Sequence, residues 1–248
     1  MYEVGLLGFG SFGKFITKHL TPHFKVEVFN RSKKEDEIIE YGAIPADLER
    51  VASRKFVILS VPVQFLEDTL INIKDIVVPG SIIIDVSSVK VKPYELMKKH
   101  LPSYVELVCT HPLFGPQSGK DGIEGLNMVL CPSENVGLHK RFYHFFSEVL
   151  KLRVLERSQE VHDRQMAYVQ ALTHFVGRAI NEMDIPDVEQ KTPAYQYLLN
   201  IKRNLGNDSM DLFLTIEQEN PYAKEVRESF IRELNVLNDW LNKEEKQN

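Results

Sequence analysis

Short runs of apolar and β-branched residues alternate with amphipathic stretches over roughly the first 155 residues. Seven runs predict strands, over residues 4–7, 26–29, 56–61, 82–86, 105–109, 128–131 and 152–155. Runs such as FVILSV and SIIIDV are apolar at nearly every position, as is typical of strands covered on both faces of a sheet. Strands that alternate with helical stretches indicate βαβ units. The pattern therefore predicts an α/β domain over residues 1–157, with a doubly wound, mostly parallel sheet.

The pattern changes after about Ser158, where strand-like runs end. Apolar residues then recur every three or four positions, as at Met166, Val169 and Leu172. Prolines are expected at helix boundaries, because proline interrupts the hydrogen bonds of a helix interior. Three of them punctuate this half, at positions 186, 193 and 221. The second half therefore predicts an all-helical domain over residues 158–248.

The overall charge is mildly acidic. The chain has 248 residues, and 30 Lys and Arg against 35 Asp and Glu give a net charge of −5. No basic cluster stands out, so no nucleic-acid partner is expected. No apolar run approaches the ~20 residues that span a bilayer, and no basic segment with a cleavage site precedes the first strand. We therefore expect a cytoplasmic protein without membrane attachment.

The two cysteines, Cys109 and Cys131, lie in separate apolar runs. Their spacing matches no metal-binding or redox motif. We expect both side chains to be buried, as free cysteines usually are, and we expect no metal site.

A glycine-rich motif, GFGSFG, follows the first predicted strand and opens a helical stretch. Gly8, Gly10 and Gly13 permit a tight turn, a close approach of the backbone to a pyrophosphate, and close packing of helix on strand. With Ser11 and Phe12 they place the free N–H groups of a helix N-terminus at the phosphates. The motif requires this strand, turn and helix context, so it predicts a Rossmann-type dinucleotide site. A glycine turn without a ligand is the alternative.

The end of the second predicted strand decides which dinucleotide is bound. An Asp or Glu about 20 residues after the glycines would hold the ribose hydroxyls of NAD. Here the sequence is VEVFNRSKK, with Asn30 in that place, followed by Arg31, Ser32 and Lys33. A guanidinium binds a 2′-phosphate through paired, charge-assisted hydrogen bonds, and a hydroxyl adds another. These residues favour NADP, with a solvated basic loop as the alternative.

Small side chains follow two further predicted strands. Ser60, Val61 and Pro62 come after one strand, and Ser87, Ser88 and Lys90 come after the next. Ligands of open α/β sheets bind at the carboxyl ends of the strands, so these residues are candidates for the cofactor or substrate site. A pair of serines before a helix is equally a good N-cap, which is the structural alternative.

A histidine follows the next strand, in LVCTHPLFGPQSGKDGIEG. His111 is fixed by Pro112 and opens a glycine-rich loop. Since histidine has an ordinary pKa near neutrality, a histidine at a strand end beside a cofactor is well suited to act as a general base. Without its neighbouring motifs, a His-Pro pair would more often be structural.

The helical half opens with EVHDRQMAYVQALTHFVGRAI. At ~100° per residue, a helix places His162, Gln170 and His174 in one wedge with Met166 and Thr173. A polar strip on an otherwise apolar helix indicates a substrate-binding wall. The alternatives are a helix start at His162 and a satisfied core histidine at His174.

Positive charges follow in NIKRNLGNDS. Lys202 and Arg203, with Asn204 and Asn207, suit the binding of a substrate carboxylate. A solvent-facing charged turn is the alternative.

Three motifs together resemble one family. DVSSVK, CTHPLFGPQSGKDG and VHDRQMAYVQALTHFVGR occur in the order found in the prephenate/arogenate dehydrogenase family, and they are most similar to its short, plant-like arogenate dehydrogenase branch. The resemblance extends from Gly8 to about Ile216.

The resemblance implies oxidative decarboxylation of prephenate or arogenate in tyrosine biosynthesis, with NADP as cofactor. His111 would take the proton of the ring hydroxyl, and Ser88 would hydrogen-bond to His111 or to that hydroxyl. Arg203 is the best match for an arginine that binds the substrate carboxylate. Gln117 replaces the Glu of the plant-like pattern, which leaves the choice between the two substrates open. The resemblance also implies a homodimer formed by the helical domain, and the length suggests no appended regulatory domain.

Two other functions remain open. β-Hydroxyacid dehydrogenases and imine reductases usually carry a helical-domain Lys followed by Asn four residues later, whereas Lys202 is followed by Gly206. A non-catalytic NADPH sensor with this fold would not need His111 and Ser88.

Overall fold

The computed structural model describes residues 2–205 and 208–244. The chain divides into two compact units, Met1–Glu160 and Val161–Asn248. Gly206 and Asn207, both considered above, lie outside the described residues.

The first unit contains an eight-stranded sheet with the order β3-β2-β1-β4-β5-β6-β7-β8. All neighbouring strands are parallel except β6 and β7. The strands are β1 Glu3–Leu7, β2 Lys25–Phe29, β3 Ile44–Pro45, β4 Phe56–Leu59, β5 Ile82–Asp85, β6 Glu106–Pro112, β7 Asn127–Leu130 and β8 Arg153–Glu156. The predicted doubly wound, mostly parallel sheet is confirmed, and all seven predicted strands are present. The short edge strand β3 was not predicted.

Strand β6 is longer than the apolar run that predicted it. Its first residues pair in parallel with β5, up to the register Asp85 with Cys109. Its last three pair antiparallel with β7, where His111 lies opposite Val129. The prediction that His111 follows the strand was therefore wrong: the residue lies within it, because a second neighbour continues the ladder after the first has ended.

Side chains of the strands alternate between two apolar cores, one on each face of the sheet. Leu6 of β1 belongs to the first core and Leu7 to the second, as the period of a strand requires. Helices α1 Ser11–Leu20 and α6 Val136–His144 contribute to the first core. Helices α3 Leu48–Ala52, α4 Leu66–Ile73 and α5 Val91–His100 contribute to the second. The short helix α2 is Glu35–Glu40. Both cysteines are buried in the second core, as expected.

The described residues of the second unit form helices and contain no strand. Helix α7 begins in the first unit, and Pro193 begins α9 as the sequence predicted. The elements are α7 Gln159–Met166, a π-helical segment Ala167–Leu172, α8 Thr173–Glu182, α9 Pro193–Leu205, α10 Met210–Gln218 and α11 Ala223–Glu244. A small core of Ala171, Ile216 and Ala223 joins the π-helical segment, α10 and α11. None of the described helices is both long and apolar enough to cross a bilayer.

Candidate active site

The glycine-rich turn joins β1 to α1 and leaves no room for side chains at two positions. Gly8 has a φ of +100°, and a Cβ there would lie 2.3 Å from the Ser60 carbonyl oxygen. A Cβ at Gly13 would lie 2.3 Å from the carbonyl oxygen of Gly8. Glycine is therefore required at Gly8 by conformation and by close packing, and at Gly13 by close packing.

Gly10 differs from the other two glycines because a Cβ there would meet no atom within 4 Å. It is the N-cap residue of α1, and no side chain caps that helix end. The first N–H groups of the helix, from Ser11 to Gly13, therefore have no intrahelical acceptor and lie beside an open space. Such a helix end fits the pyrophosphate of a dinucleotide.

Asn30 links this turn to the end of β2. Its Oδ1 accepts a 2.8 Å hydrogen bond from the backbone N–H of Phe9, and its Nδ2 donates to Ser32 Oγ at 2.9 Å. Lys34 Nζ donates to the Phe9 carbonyl oxygen at 3.0 Å. Asn30 thus fixes both the glycine turn and the loop that follows β2. Sequence reasoning assigned no role to Lys34.

The loop after β2 presents positive charge to solvent. Arg31 and Lys33 are exposed, and the Arg31 guanidinium lies 5.5 Å from the centre of the Phe65 ring. Neither side chain forms an ion pair with a carboxylate of the described residues. The three polar side chains Arg31, Ser32 and Lys33 therefore form a surface that suits a phosphate.

Ser60, Val61 and Pro62 follow β4 at the same edge of the sheet. The Ser60 carbonyl lies against Gly8, and Ser60 Oγ would lie 3.4 Å from a Cβ at Gly13. Val61 Cγ1 would lie 3.1 Å from a Cβ at Gly8. The structure thus brings this segment against the glycine turn, with Pro62 preceding a short 3₁₀ turn.

A buried ion pair lies between the ends of β5 and β6. The side chains of Lys90 and Asp85 are in contact and almost fully buried. Lys90 Nζ also donates to the Thr110 carbonyl oxygen at 2.6 Å, and Thr110 Oγ1 donates to the Asp85 carbonyl oxygen at 2.8 Å. Asp85 Oδ1 accepts the Ser87 N–H at 3.0 Å. A buried charge is tolerated only when it is paired and hydrogen-bonded, as here.

His111 is buried two residues beyond the point where β5 and β6 separate. Ser88 is half-buried three residues beyond the end of β5, and Ser87 Oγ donates to the Val89 carbonyl oxygen at 2.9 Å. Since both strands are parallel, Ser88 and His111 lie at the carboxyl edge that also carries the glycine turn. Burial raises the pKa of the nearby Cys109 thiol, which therefore stays protonated at neutral pH.

Gln117 is exposed in the turn after His111. Ser118 Oγ accepts the Gly115 N–H at 3.0 Å, and Gly119 N–H donates to the Gly115 carbonyl oxygen at 2.8 Å. Phe114 packs against Phe15 of α1, with ring centres 6.2 Å apart. The loop is thereby anchored to α1 while Gln117 remains accessible.

The wedge predicted for the first helices of the second unit is interrupted. The π-helical segment lies between α7 and α8 and has more residues per turn than an α-helix. His162 is buried, whereas Thr173 is exposed. The assumption of ~100° per residue was therefore wrong across this segment, and the angles that predicted the wedge do not hold in the structure.

Polar groups of this helical region differ in their surroundings. His162 Nδ1 lies 2.7 Å from Asp163 Oδ1, and Asn220 Nδ2 donates to the Asp163 carbonyl oxygen at 2.8 Å. Gln170 Oε1 is buried and has no hydrogen-bond partner among the described residues. His174 Nδ1 lies 3.6 Å from Asp208 Oδ2. Burial lowers the pKa of His174 and raises that of Asp208.

The two cationic side chains of α9 make different contacts. Lys202 Nζ forms a 2.6 Å ion pair with Asp184 Oδ1 and also donates to the Ile185 carbonyl oxygen. Arg203 is exposed, and its Nη2 donates to Asn200 Oδ1 at 3.3 Å. Arg203 therefore keeps most of its donors available.

The described residues do not meet the requirements of a metal site. Within residues 2–205 and 208–244, no group of three or more His, Cys, Asp or Glu side chains is placed to bind a metal ion.

Family models match both parts of the chain. Residues 23–150, more than half of the sequence, match the model described as prephenate dehydrogenase, nucleotide-binding domain. Residues 179–248 match a model described as TYRAAT1-like, C-terminal domain.

Similar curated proteins come from plants and archaea. Two chloroplastic arogenate dehydrogenases of Arabidopsis thaliana, numbered 1 and 2, are 30% and 31% identical over 92% and 91% of this chain. A probable arogenate/prephenate dehydrogenase of Methanocaldococcus jannaschii is 26% identical over 81%. The chain spans 37%, 66% and 47% of the lengths of these three relatives.

Solved structures share the fold. Prephenate dehydrogenase from A. aeolicus, in complex with hydroxyphenyl propionate and NAD+, superposes with a TM-score of 0.76 at 22% identity, covering 99% of this chain and 92% of that one. Synechocystis arogenate dehydrogenase gives a TM-score of 0.70 at 18% identity, covering 98% and 93%.

Proposed function

Because this chain belongs to the prephenate and arogenate dehydrogenase family, we propose that it oxidises and decarboxylates prephenate or arogenate, using NADP. The observation that carries the proposal is the position of His111. It is buried at the carboxyl edge of the sheet, the edge at which the glycine turn fits a dinucleotide.

His111 takes the proton of the substrate's ring hydroxyl in the proposed reaction. NADP supplies the acceptor for the hydride that leaves the same ring carbon. The bond between the ring carbon and its carboxylate then breaks, and carbon dioxide leaves. The electron pair of that bond stays with the ring and completes its aromatic system. The resulting phenolate oxygen takes a proton back, so the ring hydroxyl is restored. Ser88, at the same edge, is proposed to donate a hydrogen bond to His111 or to the reacting oxygen.

Aromatisation supplies the driving force, so the protein mainly has to orient the substrate and remove the proton. The pairing of β6 with β7 suits this role, because the backbone at His111 is held in the antiparallel ladder opposite Val129. A base held in this way needs no reorganisation before the proton moves.

The preference for NADP over NAD rests on the loop after β2. Asn30 occupies the place where a carboxylate would repel a 2′-phosphate, and Arg31, Ser32 and Lys33 offer two exposed cations and a hydroxyl. Charge-assisted hydrogen bonds from a guanidinium to a phosphate are stronger than those between neutral groups. The loop therefore supports NADP as the cofactor.

Substrate contacts are proposed for several polar residues. Arg203, with its available donors, binds a carboxylate, and Gln170 offers a buried acceptor that has no hydrogen-bond partner in the described part of the chain. His162, His174 and Gln117 are proposed as further substrate-binding residues. Neutral His174 offers a hydrogen-bonding group without adding charge.

The helical domain, residues 158–248, is proposed to form a homodimer. Helix α11 carries exposed apolar side chains that recur at helical spacing: Ile231, Leu234, Leu237, Trp240 and Leu241. A contiguous exposed apolar surface marks an interaction site, and a two-fold dimer buries the same surface of both copies. Light scattering of the purified chain measures the mass directly, and a monomer mass at micromolar concentration overturns the dimer.

The reaction is tested by a spectrophotometric assay of NADPH formation, with prephenate and arogenate in parallel wells and NAD in matched wells. We expect rapid reduction of NADP with one of the two substrates, which identifies the keto or amino preference at once. If neither substrate leads to NADPH formation while NADPH still binds, the proposed reaction is overturned. Equal rates with NAD overturn the cofactor preference.

A further inference from the structure

A cavity of about 230 Å³ lies in the first unit, on the face of the sheet that carries α1 and α6. Its wall is almost entirely apolar and includes side chains from strands β1, β4, β5, β6 and β7, from both helices, and from the loop that contains Phe114. None of the residues proposed above to bind cofactor or substrate lines it. The cavity is therefore separate from the candidate active site.

The cavity lies within the first core. That core is covered by α1, by α2 through its buried Ile38, and by α6 with the π-helical segment Phe145–Val149 that continues it. Protein interiors hold few voids larger than a water molecule. An apolar cavity of ~150 Å³ in another protein stays dry and binds benzene, so a larger apolar space of this kind is a capable ligand site.

The shape of the space favours an elongated ligand. Ile82, Ile84 and Val86 of the β5 region all line it, so it follows the chain from residue 82 to residue 86, about 13 Å at the rise of a β-strand. The same wall continues to Phe114, in the loop that follows His111. A straight alkyl chain fits such a space better than a compact ring.

Two wall residues set the charge and the access. Tyr2 and Arg141 are both solvent-exposed, so the cavity reaches the surface. Among the described residues, His19 is the one further titratable side chain of the wall. Burial and the charge of Lys18 lower the pKa of His19, so this side chain is neutral at neutral pH. Arg141 Nε donates to the Gly137 carbonyl oxygen at 3.4 Å, and no carboxylate of the described residues pairs with this guanidinium.

We propose that this cavity binds a monocarboxylic acid with a straight alkyl chain, with the chain in the cavity and the carboxylate at Arg141. The apolar wall removes the chain from water, at ~25 cal/mol per Å² of buried apolar surface. The unpaired guanidinium provides two parallel donors that match a carboxylate.

The test is isothermal titration of the whole protein with decanoate, below its micellar concentration, and with decanol, below its solubility limit. We expect decanoate to bind about tenfold more tightly than decanol, and Arg141→Gln to remove most of that difference. Arg153→Gln, an exposed arginine of β8 that does not line the cavity, is the matched control and should leave both affinities unchanged.

Two variants test whether the chain occupies the cavity. Ile84→Phe and, separately, Ile58→Phe add volume from adjacent strands, and each should abolish binding of both ligands while NADP still binds. Binding of the NADP cofactor reports a correctly folded domain. Undetectable binding of decanoate to the unmodified protein, or unchanged binding in the filled variant that retains NADP binding, overturns the proposal. Equal affinity for decanol and decanoate overturns the role of Arg141.

Discussion

The ammonium group of Lys90 donates a 2.6 Å hydrogen bond to the backbone carbonyl oxygen of Thr110, the residue directly before His111. The same side chain is fully buried against Asp85 at the end of β5. The charged pair therefore ties the turn that carries Ser88 to the strand that carries His111. Lys90 is a positioning residue in this arrangement.

Replacing Lys90 by Met is expected to lower both stability and turnover. The change leaves Asp85 buried without its partner, which costs about 3 kcal/mol of unfolding free energy. It also frees the Thr110 carbonyl, so His111 loses part of its support and kcat falls at least about tenfold. Urea unfolding and steady-state kinetics measure the two effects, with the exposed Lys98→Met on α5 as control. Unchanged kcat in folded Lys90→Met would show that the pair is purely structural.

Replacing His111 by Asn should lower turnover by about 10² or more, the usual scale for loss of a general base. NADPH affinity should stay nearly the same, because His111 is not part of the glycine turn. Steady-state rates and fluorescence titration with NADPH separate the two properties. His144→Asn, an exposed histidine of α6, is the matched control. Near-normal turnover in His111→Asn would contradict its role as the base.

Arg31→Ala should weaken NADP binding at least about tenfold, the scale of a lost charge-assisted hydrogen bond to phosphate. NAD has no 2′-phosphate, so its affinity should change little. Titration of both cofactors measures the difference, with Arg153→Ala as a control at an exposed position of β8. Equal losses for NADP and NAD would show that Arg31 does not contact the 2′-phosphate.

Glu27 is expected to couple stability to pH. Burial alone would raise the pKa of this β2 carboxyl, but hydrogen bonds from Arg50 and Arg54 lower the pKa below its ordinary 4.5. A carboxyl with a lowered folded-state pKa stabilises the fold above the unfolded-state pKa. That contribution is lost as the pH falls below about 4.5 and through the folded-state pKa.

Glu27→Gln should therefore lower the unfolding free energy at pH 7 by about 2 kcal/mol. Breaking a fully buried pair costs ~3–5 kcal/mol, and the cost is smaller here because Arg50 is half-exposed. Its stability should also fall less steeply than that of the unmodified protein between pH 5 and about pH 3. Urea unfolding across this range measures both effects. Glu148→Gln, an exposed residue, should leave the pH profile unchanged, and a profile for Glu27→Gln as steep as that of the unmodified protein would contradict the assignment.

The sheet was predictable because its strands are continuous apolar runs separated by turns. Strand β3 was not, since Ile44 and Pro45 form a strand only through the neighbouring backbone of β2. The π-helical segment Ala167–Leu172 was not predictable either, because it inserts extra residues per turn without changing the composition of the helix. The pattern of apolar residues therefore predicts which strands and helices form, whereas contacts with neighbouring strands determine where they end.

The glycine turn was predictable from spacing alone, because the steric demands at Gly8 and Gly13 admit no other residue. No role was predicted for Asp85. Lys90 was predicted to line the cofactor or substrate site, whereas the structure buries its side chain against Asp85. A signal for this pair exists in the sequence: an Asp within SIIIDV is a charge in a fully buried run, and such a charge needs a partner nearby. The contact of Lys34 with Phe9 has no comparable signal, since a lysine in a polar loop is ordinary.

Strand β6 exchanges a parallel neighbour for an antiparallel one between Cys109 and Thr110. Functional histidines are often carried by loops, whose length and sequence drift readily. Here the histidine stands inside the ladder, so an insertion in the loop after it leaves the imidazole where it is. The loop that contains Gln117 is thus free to diverge, while His111 stays in a part of the chain that tolerates almost no change in register.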